Sequence, residues 1–289
     1  MLKTAKGCFG SVEDPKHKTL VIGLGAMKCG TSWLSRSLGE LPGFLHSPTK
    51  EMNVFNQFFE NPFRGRQNEF RLMRFEEIIL GSSSLTHPRN LDRLRSLAQI
   101  GRIDGPDAYL AYFAERLRKD HTHFGEISPS YSHLSADALR EISTLTQDVR
   151  LLFLVRDPAK RAASHIRHVR RRLRANEPID AIIDEITPSH PIWMRSDYGF
   201  TLDRLAEAGL EVKSRCLVFE ALFEEATMKN LCSWLKLSYR PPQIDRKANV
   251  GSGEDLTSAQ HARLREKLEP LYQDLRRRSL PAGSERWDW

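Results

Sequence analysis

The residues best suited to chemistry lie in the stretch 18–39, KTLVIGLGAMKCGTSWLSRSLG. Gly23, Gly25 and Gly30 permit a sharp turn in which several backbone N–H groups converge on one anion at the start of the next helix. Lys28 puts a full positive charge inside that turn, and Thr31 and Ser32 add hydroxyl donors. A ligand held in this way carries phosphate or a group resembling it. The order of residues is not that of a Walker A loop, where lysine directly follows the last glycine; here, in GxxKxGTS, Lys28 precedes Gly30. A glycine-rich turn between strand and helix is also a common structural connection, so the loop alone leaves both readings open.

Two other places offer chemistry. Arg156 follows the apolar run RLLFLV and precedes Asp157 and Pro158, which suit the cap and first turn of a helix carrying Ser164. An arginine at such a strand tip presents a rigid fork of donors to a phosphate. Glu51 stands beside Lys50 and ahead of Phe55, Phe58 and Phe59. An apolar wall there would raise its pKa and suit it to act as a base; the plainer reading is a surface ion pair on a short helix. A later loop, IDRKANVGSGED, offers Lys247, Asn249, Gly251 and Gly253 as a second anion-contacting turn, although such loops are usually only loops.

The elements needed to position these residues are those of an α/β protein. Residues 19–24, 124–127, 150–155 and 216–219 are short apolar runs suited to buried strands. Residues 31–39, 108–118, 136–146, 197–208, 227–237 and 258–278 have helical periodicity. The strand at 124–127 runs into Ser128-Pro129, which displays polar residues at a carboxyl end, where open α/β sheets place ligands. Residues 1–17 read as a flexible lead-in and 18–289 as one domain. Residues 60–107, arginine-rich and broken by Pro62, Gly65, Gly81 and Pro88, read as a lid or substrate-contacting insertion.

The chain has 289 residues and a formal net charge of +7, which fits an anionic ligand, nucleic acid or a membrane surface equally well. Cys8, Cys29, Cys216 and Cys232 form no CxxC pair or metal-ligand spacing, so free thiols and no metal are expected. No apolar run approaches the ~20 residues that span a bilayer, and a cytoplasmic location is expected. The basic run RHVRRRLR at 167–174 lacks interleaved aromatics and reads as a solvated or substrate-steering helix face before it reads as a nucleic-acid contact.

Taken in order, GAMKCGTSWL, KEMNVF, GEISPSY and LVRDPAKRAASH resemble the sulfotransferases that use 3′-phosphoadenosine 5′-phosphosulfate (PAPS), most nearly their heparan-sulfate and bacterial carbohydrate-type branch. The resemblance runs from about residue 18 to the last tryptophan and is least clear over 60–107. It implies a P-loop-like three-layer α/β fold with a central, mainly parallel sheet flanked by helices. It also implies PAPS as cofactor, the 3′,5′-bisphosphate PAP as product, no metal, and a small-molecule, glycan or lipid hydroxyl as acceptor.

By the same resemblance, Lys28, Cys29, Gly30, Thr31, Ser32 and Trp33 wrap the 5′ end of the cofactor. Arg156 and Ser164 take the 3′-phosphate, Lys247 belongs to a closing loop, and Glu51 is the general base. Val54-Phe55 stands where the branch has two phenylalanines. Glu126-Ile127 stands where it often has Glu-Lys, so a second catalytic lysine is missing or supplied elsewhere, with Lys50 as the candidate. Should Glu51 not be the base, Glu126, His46, His121 and His123 are the alternatives. A P-loop nucleotide kinase or NTPase is the competing enzymatic reading, and a basic nucleic-acid-binding protein the non-enzymatic one.

Overall fold

A computed structural model describes residues 13–65, 67–81, 87–172, 176–243 and 255–289. Five strands, β1 (Thr19–Gly25), β2 (Phe44–His46), β3 (His123–Ile127), β4 (Asp148–Val155) and β5 (Ser214–Val218), form one sheet in the order β2-β3-β1-β4-β5. Every pairing is parallel. Helices cover both faces, so the central strands are apolar without alternation: Leu20, Val21, Ile22 and Leu24 of β1 and Leu151 through Val155 of β4 are all buried. This is the α/β, P-loop-like arrangement with a central parallel sheet.

Four of the strands lie within two residues of their expected places. The fifth, β2, forms where residues 41–47 return the chain to the sheet edge, pairing Phe44 with His123. The expected helix over 258–278 is two helices, Ser258–Lys267 and Glu269–Arg276, that break at Leu268. Pro270 explains the break, because it lacks an N–H and its ring crowds the preceding turn. Residues 176–192, broken by Pro178, Pro188 and Pro191, nevertheless include the helix Ile179–Asp184, whose Ile182 and Ile183 join Leu264 and Leu268 in a second apolar cluster. Within the expected lead-in, Pro15–His17 form a 3-10 turn capped by Asp14. Among the described residues no helix is long and apolar enough to cross a membrane.

β3 and β1 pack so closely that a Cβ on Gly125 would lie 1.9 Å from the Val21 carbonyl oxygen. Gly125→Ala is therefore expected to destabilise the fold by about 4 kcal/mol or more, since backbone must move to admit the methyl. Urea unfolding checks this, and a loss below ~1 kcal/mol, the ordinary cost of a point substitution, would contradict it.

The chain leaves β1 towards β2 on one side, and later passes from β3 across β1 to β4 on the other. The carboxyl ends of β1, β3 and β4 thus open on a topological switch point, where parallel sheets place their ligands. Ser128 and Arg156 follow the ends of β3 and β4 directly, and Lys28 lies in the turn that follows β1.

Candidate active site

The turn after β1 delivers the chain to the helix Thr31–Gly39 through Gly30, whose φ of 88° suits glycine. Any Cβ there would lie 2.7 Å from Leu222 and 2.9 Å from Phe219, so the close approach as well as the angle selects glycine. Among the described residues no side chain caps this helix start; the Trp33 N–H turns back to the Gly30 carbonyl at 3.0 Å, so the Thr31 and Ser32 N–H groups are the ones left for a ligand. Lys28 also has left-handed backbone, φ 73°. Burial pushes its ammonium down to about 8, helped by Arg171, Lys50, Arg167 and Arg156. Five cations thus bear on one point, a concentration that favours a multiply charged anion. Arg167 and Arg171 belong to the basic run of the Pro158–Arg172 helix, whose charge therefore reaches the loop.

Cys29, expected among the cofactor contacts, faces the core instead. Its thiol lies 3.6 Å from the Tyr198 hydroxyl and its N–H bonds the Ala26 carbonyl, so the residue shapes the turn from beneath. Trp33 is buried against Phe223, with ring centroids 5.0 Å apart, and its indole N–H has no partner among the described residues.

Arg156 emerges from β4 with its guanidinium 4.2 Å above the Phe219 ring and its Nη1 3.4 Å from the Lys28 carbonyl oxygen. The Tyr198 hydroxyl donates to the Arg156 carbonyl at 2.8 Å and fixes the main chain. Asp157 accepts the Lys160 N–H at 2.8 Å and so caps the helix that carries the half-buried Ser164. Among the described residues the buried Arg156 Nε has no partner. A charged donor left unused in this way suits an anionic ligand, because desolvating it without a bond is costly. The sequence did not single out Tyr198 or Phe219; Phe219 stands one residue beyond β5 and so lies at the edge that Arg156 occupies. Lys247 lies outside the described residues.

Glu51 occupies a third corner. Lys50 Nζ donates to Ser32 Oγ of the anion loop and lies 3.0 Å from one Glu51 carboxylate oxygen, while Arg74 lies 3.5 Å from the other. Arg74 comes from the helix Gln67–Leu80 in the 60–107 segment. The expected rise in the Glu51 pKa is not found. Burial does push it up, but Lys50 and Arg74 outweigh burial and hold the carboxyl below its ordinary value. The aromatic wall is elsewhere: Phe55 is buried against Tyr109 and Tyr131.

The alternative bases fare differently. Glu126 is buried at the end of β3, accepts the Ser128 hydroxyl at 2.6 Å, and is pushed up to about 7 by desolvation. His46 has both ring nitrogens engaged, with Ser35 Oγ at 2.8 Å and the Ser47 carbonyl at 2.7 Å. His123 opens β3 and His121 precedes it, at the amino end of the strand, away from the loop and Arg156. Ile127, at the position of the missing lysine, is buried against Gly23, where it serves packing.

The fold and this cationic corner are the arrangement of an α/β protein able to hold a phosphorylated ligand at its strand ends. Comparison with known proteins then gives the family. Residues 21–241 match the sulfotransferase family, and the chain belongs to it. Among solved structures, it is similar to a sulfotransferase from Alicyclobacillus acidocaldarius at 20% identity and a TM-score of 0.57, with 90% of this chain and 96% of that one covered. It also matches the sulfotransferase domain of the Synechococcus PCC 7002 olefin synthase at 19% identity and a TM-score of 0.47, covering 93% and 99% of the two chains. No curated protein matches it.

Proposed function

We propose that this protein transfers the sulfuryl group of PAPS to a hydroxyl of a carbohydrate, glycolipid or other alcohol. The observation that carries this reading is a pair of anion-binding groups delivered by different strands, β1 and β4. One is the Lys28 loop, and the other is Arg156 with its unused Nε, joined to the loop through the Lys28 carbonyl. Two such groups suit a nucleotide phosphorylated at both ends better than a triphosphate, whose charge lies in one run. The likeness of KEMNVF and GEISPSY to the carbohydrate-type branch supports a sugar or lipid alcohol as acceptor.

PAPS, when bound, supplies a sulfuryl group on a phosphate that leaves as charge builds upon it. Lys28 and the open N–H groups of the helix start would hold the 5′ end and balance that charge. Arg156 and Ser164 would hold the 3′-phosphate, and Trp33 would close the wall at the 5′ end. Lys50, placed between Ser32 and Glu51, serves as the cation on the acceptor side in place of a lysine at Ile127. Glu51 would accept the proton of the attacking hydroxyl. Arg74 brings the 60–107 segment to this corner, which fits that segment as the acceptor-facing wall.

Arg156→Ala is expected to weaken binding of PAP by about 100-fold, the cost of losing a charged donor pair, with the fold retained. Calorimetric titration with PAP measures it. Unchanged affinity would remove Arg156 from the site, and tight binding of MgATP in place of PAP would favour a kinase. Incubation of extract fractions with PAPS labelled in its sulfuryl group, followed by mass spectrometry of the product, identifies the acceptor.

A further inference from the structure

The backbone that carries Glu51 adopts a conformation its residues would not choose alone. Glu51 and Asn53 both have left-handed dihedrals, φ 57° and 54°, which residues other than glycine keep only when their surroundings hold them there. Between and after them, Met52 and Val54 are buried in the core. Buried polar groups supply the restraint. The Asn53 N–H donates to Ser128 Oγ at 2.9 Å, and its side-chain amide donates to the Glu51 carbonyl at 3.0 Å. Ser130 Oγ donates to Asn53 Oδ1 at 2.5 Å, and Asn56 donates to Ser130 Oγ at 2.6 Å. Ser128 in turn donates to Glu126 at 2.6 Å, so the turn is tied to the end of β3.

We infer that Asn53 and Ser128 are positioning residues: they hold the left-handed turn that keeps the Glu51 carboxylate between Lys50 and Arg74. The catalytic consequence rests on the reading of Glu51 as the base, but the geometric claim does not. Asparagine suits the position because it is, after glycine, among the residues that most readily accept a left-handed backbone, and it adds two side-chain bonds that glycine lacks. The charged groups that bear on Glu51 are Lys50, Arg74 and Arg195, with Glu126 near it at the end of β3.

The test follows the Glu51 carboxyl by NMR in the full-length protein labelled with 13C at glutamate carboxyls, its signal assigned from its absence in Glu51→Gln. In the wild type it titrates below the ordinary glutamate range. In Asn53→Ala and Ser128→Ala the turn relaxes, and the midpoint rises by about one pH unit as the cations move away. Ser128→Thr, which keeps the hydroxyl, and Asn53→Gly, which accepts the dihedral, return it most of the way. PAP affinity in every variant reports an intact fold. An unmoved midpoint in both alanine variants, with PAP affinity retained, would overturn the inference. A moved midpoint together with full sulfuryl transfer by Glu51→Gln would leave the positioning role standing and remove Glu51 as the base.

Discussion

Lys28→Gly will raise the thermal stability of the protein and at the same time remove most of its turnover. The two effects have one origin. Lys28 sits at φ 73°, a conformation costing an L-residue about 1 kcal/mol or more and costing glycine nothing. Its ammonium is desolvated and faces four further cations, which is why it is pushed down to about 8. Glycine relieves strain and repulsion together, against about 0.5–1 kcal/mol of added chain entropy in the unfolded state. A melting temperature higher by roughly 2 °C is expected. Turnover falls by about 10²–10³-fold, the usual loss when one preorganised donor to developing charge is removed.

The pH dependence follows from the same residue. With a folded pKa near 8 and an ordinary lysine value of 10.5, the unfolded chain binds the extra proton between those two limits. The ligand-free wild type therefore gains stability from Lys28 as pH rises from 8 towards 10.5, and Lys28→Gly loses that gain. In kcat/KM the opposite limb appears, because turnover needs the charged form and falls as pH passes about 8. A bound polyanion raises the Lys28 pKa, so the limb in kcat lies higher. Full activity in Lys28→Gly would remove this lysine from the leaving-group role.

Glu51→Gln is expected to keep PAP affinity and lose about 10²–10⁴-fold in turnover, the span for a missing general base. The pH profile separates the two carboxyls. Lys50 and Arg74 hold Glu51 below its ordinary value, so it stays ionised through neutral pH and its acid limb lies below that value. Glu126, pushed up to about 7, would give an acid limb near neutrality. An acid limb near 7, or survival of turnover in Glu51→Gln, transfers the role to Glu126. The Lys50–Glu51–Arg74 pairing also implies that the stability it supplies is present above the unfolded pKa of Glu51 and is lost as pH falls through the lower folded one.

Much of this was legible in the residues themselves. Apolar runs too short for helices marked the central strands, and Gly30, Asp157 and Pro158 marked how the chain leaves them, because both faces of a parallel sheet are buried and strand-to-helix turns demand particular residues. The order GAMKCGTSWL, KEMNVF, GEISPSY, LVRDPAKRAASH carried the family. What the sequence could not reveal was contact across distance. Arg74 reaches Glu51 from a segment without any motif, and that contact reverses the pKa shift expected from the neighbouring phenylalanines. Cys29 sits in the middle of the anion loop, yet its thiol faces Tyr198, a partner 169 positions away in the chain. The split of the last helix was visible in Pro270, but the leucine stripe at 264, 268, 271 and 275 continues across the break and masks it.

On the proposed reading, the Lys28 loop and Arg156 together recognise a nucleotide phosphorylated at both its 3′ and 5′ ends, with protein cations supplying the neutralising charge. Calorimetric titration of the wild type with PAP and with 5′-AMP, both in the presence of a metal chelator, tests it most directly. PAP is expected to bind about 100-fold or more tightly than 5′-AMP, the worth of one well-made phosphate contact to arginine. Equal affinity for the two nucleotides, or binding that appears only when magnesium is restored, would contradict it.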